Sequence, residues 1–178
     1  KARQLHRQAE QTGNRKLDEQ AAALFKQVIG LDPKSYPAYV QLGWIYNRWK
    51  SGYFYDSGYL DSAYYFANKA LALNNQDPGV YRLFMTLNEK KGMMDKAKEA
   101  YYSAIKVEKF DTTCTTYRNG AEVFFNAGEY AKSIECDLKH NELMKTFNRP
   151  GFNNTMTFFR LSRAGFHTES LACNKLIL

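Results

Sequence analysis

Glycine and small residues recur along the chain at a nearly constant spacing, and this repeat constrains the fold more than any other feature. The repeated glycines lie 34, 36 and 37 residues apart, at Gly58, Gly92, Gly128 and Gly165. A small residue follows each glycine five positions later, at Ala63, Ala97, Ser133 and Ser170. A period of about 35 residues accommodates two helices and a turn, and small residues let packed helices approach closely. The sequence therefore predicts a series of stacked helix pairs.

The composition is that of a folded chain. Of its 178 residues, 44% are hydrophobic and 24% are charged, which excludes a disordered tail. We expect one domain, residues 1–178, without a membrane span and without a disulfide scaffold, since apolar runs are short and cysteines number three. The chain begins at Lys1 and ends on the apolar run 176–178, so we expect it to be part of a longer protein. No feature of the sequence assigns a cellular compartment.

Proline turns separate the predicted repeats. A proline ring disfavours a helical conformation of the residue before it, and such prolines occur at Pro33, Pro78 and Pro150. Glycine follows the last two of these prolines. No segment alternates apolar and polar residues over the length of a strand. We therefore expect an all-α fold with short loops between helices.

Two sets of positions within the repeats form a pattern. The first set is Tyr39, Leu42, Gly43 and Tyr46. The second set occurs twice, as Ala97, Tyr101 and Ala104 and as Ala21, Phe25, Val28 and Pro33. Together they resemble the tetratricopeptide repeat (TPR), W-x2-L-G-x2-Y then A-x3-F and proline, with tyrosine in place of the tryptophan. The resemblance implies a right-handed α-solenoid of stacked antiparallel helix pairs, in about five degenerate repeats: 2–35, 36–77, 78–111, 114–145 and 151–178.

The second of these repeats carries an insertion. Eleven residues separate Tyr46 from Gly58, where the TPR pattern has three, so eight are extra. Three adjacent aromatic residues lie within it, Tyr53, Phe54 and Tyr55, and such side chains are costly to leave in water. Either they contact a partner, or the insertion lengthens each helix by about one turn and the aromatics pack on the neighbouring hairpin.

The resemblance implies that the first helix of each pair lines a concave groove, where side chains not needed for packing are candidate partner contacts. By position these are Trp44, Arg48, Arg82, Lys90, Arg118, Asn119, Glu122, Asn126, Phe159 and Arg163. Arginine pairs with carboxylates, asparagine with backbone amides, and an aromatic ring provides an apolar anchor. The formal net charge of +7 favours an acidic partner. We expect an acidic or extended peptide segment in this groove, with ordinary solvated helix faces as the alternative.

One TPR subfamily, which binds the C-terminal carboxylates of chaperones, is disfavoured. Its clamp has Lys, Asn, Asn, Lys and Arg at fixed places in three successive first helices. In the third to fifth repeats those places hold Arg82, Thr86, Asn119, Phe152 and Met156. At most two of these five residues suit a carboxylate clamp.

Catalytic and metal-binding motifs are missing from the sequence. HExxH, CxxC, Walker-type and GxSxG patterns do not occur. Cys136 and His140 are four residues apart and supply half of a metal site, but zinc needs further ligands. A buried thiol in helix packing is the stronger interpretation. We expect no catalytic site, no metal and no cofactor.

Three functions are compatible with this pattern. The first is a protein-interaction scaffold or adaptor in the assembly of a multiprotein complex, with self-association left open. The second is a helical-repeat RNA-binding module, which is disfavoured because equivalent groove positions hold Trp44, Thr86, Glu122 and Phe159 and form no repeating code. The third is the regulatory or targeting arm of a larger enzyme.

Overall fold

The structure, a computed structural model, describes residues 1–49, 57–108, 114–147, 155–163 and 165. The helices in these ranges are α1 (Ala2–Thr12), α2 (Arg15–Leu31), α3 (Tyr36–Trp49), α4 (Ser57–Leu73), α5 (Pro78–Lys90), α6 (Met94–Val107), α7 (Thr115–Asn126), α8 (Tyr130–Thr146) and α9 (Thr155–Arg163). All regular secondary structure in the described ranges is helical, so the prediction of an all-α fold is confirmed. None of the described helices is both long and apolar enough to cross a membrane. Each of the first four predicted repeats contains one helix pair.

Local sequence signals set the first helix boundaries. Gly13 ends α1 in the left-handed conformation (φ 65°), and its N–H donates to the carbonyl of Ala9. The side chain of Asn14 then caps α2, because its Oδ1 accepts from the backbone N–H of Lys16 at 3.0 Å. Helix α2 ends at the residue before Asp32, where the Asp-Pro turn begins. A short polar turn therefore joins the first two helices.

Three of the four recurring glycines lie in turns. Gly92, Gly128 and Gly165 have φ angles of 72°, 78° and 86°, a conformation that residues with a side chain rarely adopt. Gly92 and Gly128 each precede a second helix, α6 and α8, by two residues. This backbone requirement explains why glycine recurs at that place in the repeat.

Gly58 differs from the other recurring glycines because it lies in the first turn of α4. Helix α4 begins six residues before its small residue Ala63, whereas α6 and α8 begin three residues before Ala97 and Ser133. The second repeat therefore has about one extra turn at the start of its second helix. The rest of the insertion, residues 50–56, lies outside the described residues.

Two compact units follow one another along the chain, Lys1–Leu87 and Asn88–Leu178. Among the described residues of the first unit, apolar clusters carry the packing of successive helices. One of these joins α2 to α3 and has the buried residues Ala21, Ala22, Phe25, Ala38, Leu42 and Ile45. Another joins α4 to α5 and has Leu60, Ala63, Ala67, Leu83 and Leu87. A side chain on Gly43 would overlap that of Leu83, so α3 and α5 approach each other closely at this glycine.

The described part of the second unit is packed in the same way. Ala97 and Ala104 are fully buried on α6, and Ala121 is fully buried on α7. The hydroxyl of Ser133 on α8 donates to the carbonyl of Ala121 at 2.6 Å, which fixes the two helices of that pair. Ala63, Ala97 and Ser133 are therefore buried, as the sequence predicts, whereas Ser170 lies outside the described residues.

Candidate functional site

Arg48, a predicted partner contact on α3, is engaged within the chain. Its Nε donates to Oδ2 of Asp18 at 2.8 Å and one terminal nitrogen donates to Oδ1 at 2.7 Å. The same terminal nitrogen lies 2.8 Å from Nδ1 of His6, and Glu10 lies 3.4 Å from the other. Nδ1 of His6 also lies 3.3 Å from Oδ1 of Asp18. The Asp18 side chain is 4% exposed, so this network binds α1, α2 and α3 together.

Two more predicted contacts of the first unit are partly buried. Trp44 packs against the apolar cluster between α4 and α5 and against a further cluster around Tyr39 and Val80. Arg82 is half-buried on α5, and its carbonyl accepts a hydrogen bond from Thr86 at 3.3 Å. The structure therefore gives Trp44 a packing role within this unit.

The predicted contacts on α7 and α9 lie at the surface of the second unit. Phe159 is 46% exposed, and its ring lies 5.9 Å from that of Phe125 on α7. The guanidinium of Arg163 lies 5.9 Å from the same Phe159 ring, one helical turn further along α9. Tyr130 also contacts Phe125, with ring centroids 5.5 Å apart. The exposed Phe159 ring is thus in contact with a second ring and a cation.

A buried ion pair positions α9. Arg160 on α9 and Asp137 on α8 form a salt bridge, and each side chain is at most 6% exposed. The Arg160 guanidinium also lies 5.9 Å from the ring of Phe125. The sequence alone does not indicate a role for Arg160, Asp137 or Phe125. Their signal was weak, because an arginine on a short amphipathic helix is normally expected in solvent.

Two carboxylates, those of Glu89 and Glu122, lie close to each other beside the predicted contact Asn126 on α7. The Asn126 amide donates to Glu89 at the end of α5, and Glu122 is close enough to Glu89 to act on it electrostatically. Burial and the neighbouring Glu122 carboxylate raise the pKa of Glu89, while the Asn126 hydrogen bond opposes that rise. Lys90 is exposed beside this group and contributes a weaker favourable charge.

The remaining predicted α7 residues follow the same helix face. Arg118 is exposed and its guanidinium forms no ion pair with any residue that the structure describes, whereas Asn119 is half-buried. Residues 118, 122 and 125 are spaced i, i+4 and i+7, so they lie in one row along the helix. We call the set of Arg118, Glu122, Phe125, Asn126, Phe159 and Arg163 the α7–α9 surface.

Comparison with known proteins identifies the fold. No protein-family model and no curated protein matches the sequence. Among solved structures, MamA matches with a TM-score of 0.66 at 19% identity, over 96% of this chain and 90% of MamA. The nearly identical TPR-like repeats of a Podosopora anserina kinesin light chain match with a TM-score of 0.66 at 13% identity, over 98% and 92% of the two chains.

The fold is a TPR-like helical repeat. Among the described helices, α7 is the first helix of the fourth pair and α9 follows that pair. The low identities mean that the likeness concerns the fold, while the α7–α9 surface is a feature of this chain's own side chains.

Two groups of predicted residues are not part of the α7–α9 surface. Tyr53, Phe54 and Tyr55 of the insertion lie outside the described residues. Cys136 contacts the Tyr101 hydroxyl at 3.4 Å, and Nδ1 of His140 lies 2.8 Å from the carbonyl of Cys114. No group of three metal-ligating side chains occurs within the part of the chain that is described.

Proposed function

We propose that this chain is a non-catalytic protein-interaction scaffold that holds a segment of a partner protein on the α7–α9 surface. The observation that carries the proposal is the exposed ring of Phe159, supported by Phe125 and flanked by the Arg163 guanidinium. The TPR-like fold supports it, because first helices in such repeats present the side chains that are not needed for packing.

The aromatic part of the surface suits an apolar anchor. Complete burial of a phenylalanine side chain contributes about 1.5–3 kcal/mol, and Phe159 still exposes 46% of its surface. Covering the rest of this ring with a partner side chain therefore contributes about 1 kcal/mol. Phe125 and Arg163 hold the ring in place, so little conformational entropy is lost on binding.

The charges of the surface select acidic residues beside that anchor. Arg118 and Arg163 are exposed cations at the two ends of the α7–α9 surface. Arg163 stacks on a ring, which leaves the edge of its guanidinium available for a carboxylate. Glu122 lies between Arg118 and Phe125 in the same row of α7 and is close to Glu89 at the end of α5, so acidic partner residues are directed away from these carboxylates and to the arginines. A segment with one large apolar residue next to acidic residues fits this arrangement.

The experiment starts from a random 12-residue peptide library displayed on phage and selected against the purified chain. We expect the selected peptides to combine a Phe, Leu or Trp with Asp or Glu. Fluorescence anisotropy then compares wild type with Phe159→Ala and Arg163→Glu. Each substitution should weaken binding about five- to thirtyfold, which corresponds to about 1–2 kcal/mol.

The chain offers a closely matched control. Tyr65 on α4 is 55% exposed and its ring lies 5.7 Å from the Lys69 ammonium, which reproduces the ring and cation of the α7–α9 surface. Tyr65→Ala and Lys69→Glu should leave peptide binding within twofold of wild type. Equal losses in the two pairs of variants would contradict the proposed site. Binding of a homopolymer RNA with a steep salt dependence would instead support a nucleic-acid module.

A further inference from the structure

A cleft lies elsewhere on the second unit. This cleft of about 370 Å³ is bordered by α6, α7 and α8, with Tyr101, Tyr117 and Cys136 among its lining residues. It shares no lining residue with the α7–α9 surface. Its volume lies within the range of pockets that hold ligands or inserted side chains.

The floor of the cleft is uncharged at neutral pH. Tyr101 is 4% exposed and Cys136 is 1% exposed, and the thiol lies 3.4 Å from the phenol oxygen. Burial raises the pKa of the Tyr101 phenol and of the Cys136 thiol, so both groups stay protonated near pH 7. A neutral, aromatic and sulfur-bearing floor suits an apolar side chain.

The rim of the cleft is one face of α8. Glu135, Leu138, Lys139 and Glu142 border it and are spaced i, i+3, i+4 and i+7. Leu138 is 58% exposed, which leaves an apolar side chain in solvent beside the opening. The side chains of Glu135 and Glu142 are 68% and 65% exposed. Seven residues of helix place them about 10 Å apart, with Leu138 between them.

The carboxylates of Glu135 and Glu142 form only weak interactions within the chain. Lys132 pairs with Glu135 at 2.9 Å, and Lys139 pairs with Glu142 at 2.8 Å. Both are solvent-exposed i, i+3 pairs, a kind that contributes little and exchanges readily with other partners. The ionisable side chains of the rim are Glu135, Lys139 and Glu142, a net charge of −1, whereas the chain as a whole has a formal net charge of +7.

The apolar surface continues from the cleft onto α6. Tyr102 is 53% exposed and lies five residues after the small residue Ala97, as Leu138 lies five residues after Ser133. Tyr102 is also close enough to Lys132 for an electrostatic interaction, so it adjoins the rim. Two large exposed side chains therefore occupy the same position in successive repeats.

We propose that this cleft binds a basic amphipathic segment of a second protein. One apolar side chain of that segment enters beside Leu138, and basic side chains before and after it pair with Glu135 and Glu142. The α7–α9 surface prefers acidic partner residues, and this cleft prefers basic partner residues. The chain then bridges two partner segments of opposite charge.

The test uses a random 16-residue peptide library on phage, selected on wild type and counter-selected on Leu138→Asp. Retained peptides should place Lys or Arg on both sides of a Leu, Met or Phe. Fluorescence anisotropy should show at least a tenfold loss of affinity for Leu138→Asp and for the double variant Glu135→Lys, Glu142→Lys. All three positions are exposed, so circular dichroism and melting should stay as in wild type.

Matched controls exist in the first unit. Leu31 is 89% exposed, and Glu19 is an exposed carboxylate paired with Arg15 at 3.1 Å. Leu31→Asp and Glu19→Lys should leave affinity within twofold. The proposal is overturned if no peptide is retained, if the retained peptides are acidic, or if the cleft and control variants lose affinity equally. A Leu138-dependent dimer of the chain itself would also overturn it, because the occupant would then be a second copy.

These outcomes are separable from those of the α7–α9 surface. Phe159→Ala should not affect the basic peptides, and Leu138→Asp should not affect the acidic ones. Loss of one class of peptide with retention of the other therefore identifies which of the two surfaces fails.

Discussion

Replacing Gly120 by alanine should destabilise the chain when Tyr101 is present and stabilise it when Tyr101 is removed. Gly120 lies within α7, and the ring of Tyr101 on α6 lies directly against its backbone. A Cβ at this glycine would come within 2.5 Å of the Tyr101 Cδ2 atom, where carbon atoms normally lie about 3.5–4.0 Å apart. The ring must therefore move by about 1 Å or more.

Movement of that ring is opposed by its neighbours. Tyr101 is 4% exposed, packs edge-on against Phe124 at 5.2 Å, and contacts the Cys136 thiol. Overpacking of this kind costs about 1–3 kcal/mol, while glycine to alanine in a helix interior stabilises by about 0.5–1 kcal/mol. We expect Gly120→Ala to cost about 0.5–2 kcal/mol in wild type. In Tyr101→Ala, the overlap is gone and the same change should stabilise by about 0.5–1 kcal/mol.

Urea denaturation followed by circular dichroism measures this double-mutant cycle. The coupling between the two positions should equal the overlap, about 1–3 kcal/mol. Gly30→Ala is the control for helix propensity, because a Cβ at this position of α2 meets no atom within 4 Å. An effect of Gly120→Ala that is the same in both backgrounds, within about 0.5 kcal/mol, would refute the packing argument.

Three further predictions concern charged residues that are buried or half-buried. Asp18→Ala removes both hydrogen bonds between Asp18 and the Arg48 guanidinium, so the free energy of unfolding in urea should fall by about 1.5–3 kcal/mol. Glu89→Gln should raise the melting temperature at pH 7 by about 2 °C or less, since a half-exposed group is screened. The raised pKa means that the folded chain keeps the Glu89 proton to higher pH, so wild type loses stability as pH rises through that interval while the variant does not. Asp137→Ala removes the ion pair that positions α9, so hydrogen exchange in α9 should become faster than in wild type, while exchange in α2 should not change.

The helices and turns follow from local features of the sequence. Gly92 and Gly128 recur because the turn before each second helix needs a left-handed residue, and this requirement depends on a few neighbouring residues. Gly58 was misleading, since the insertion beside it lengthens α4 and carries this glycine into the helix. An identical residue in phase therefore does not guarantee an identical backbone.

Side-chain partners were harder to predict than helices. Arg48 resembles a surface residue on its own helix, and its ion pair needs Asp18 from α2, thirty positions earlier. At the contact between Tyr101 and Gly120, a large residue of α6 faces a small residue of α7. One repeat earlier the sizes are reversed, because the small Ala67 corresponds to Tyr101 and the large Phe84 corresponds to Gly120. Such compensation is visible only when two helices of different repeats are aligned together. The exposed state of Phe159 likewise depends on packing between α7 and α9.

Hydrogen–deuterium exchange with a selected acidic peptide tests the central claim, partner binding on the α7–α9 surface, most directly. The full chain is compared with and without saturating peptide. Protection should appear in α7 and α9 and disappear for Phe159→Ala, while α2 and α4 exchange as before. Protection confined to α4, or protection of α7 and α9 that persists in Phe159→Ala, would contradict the claim.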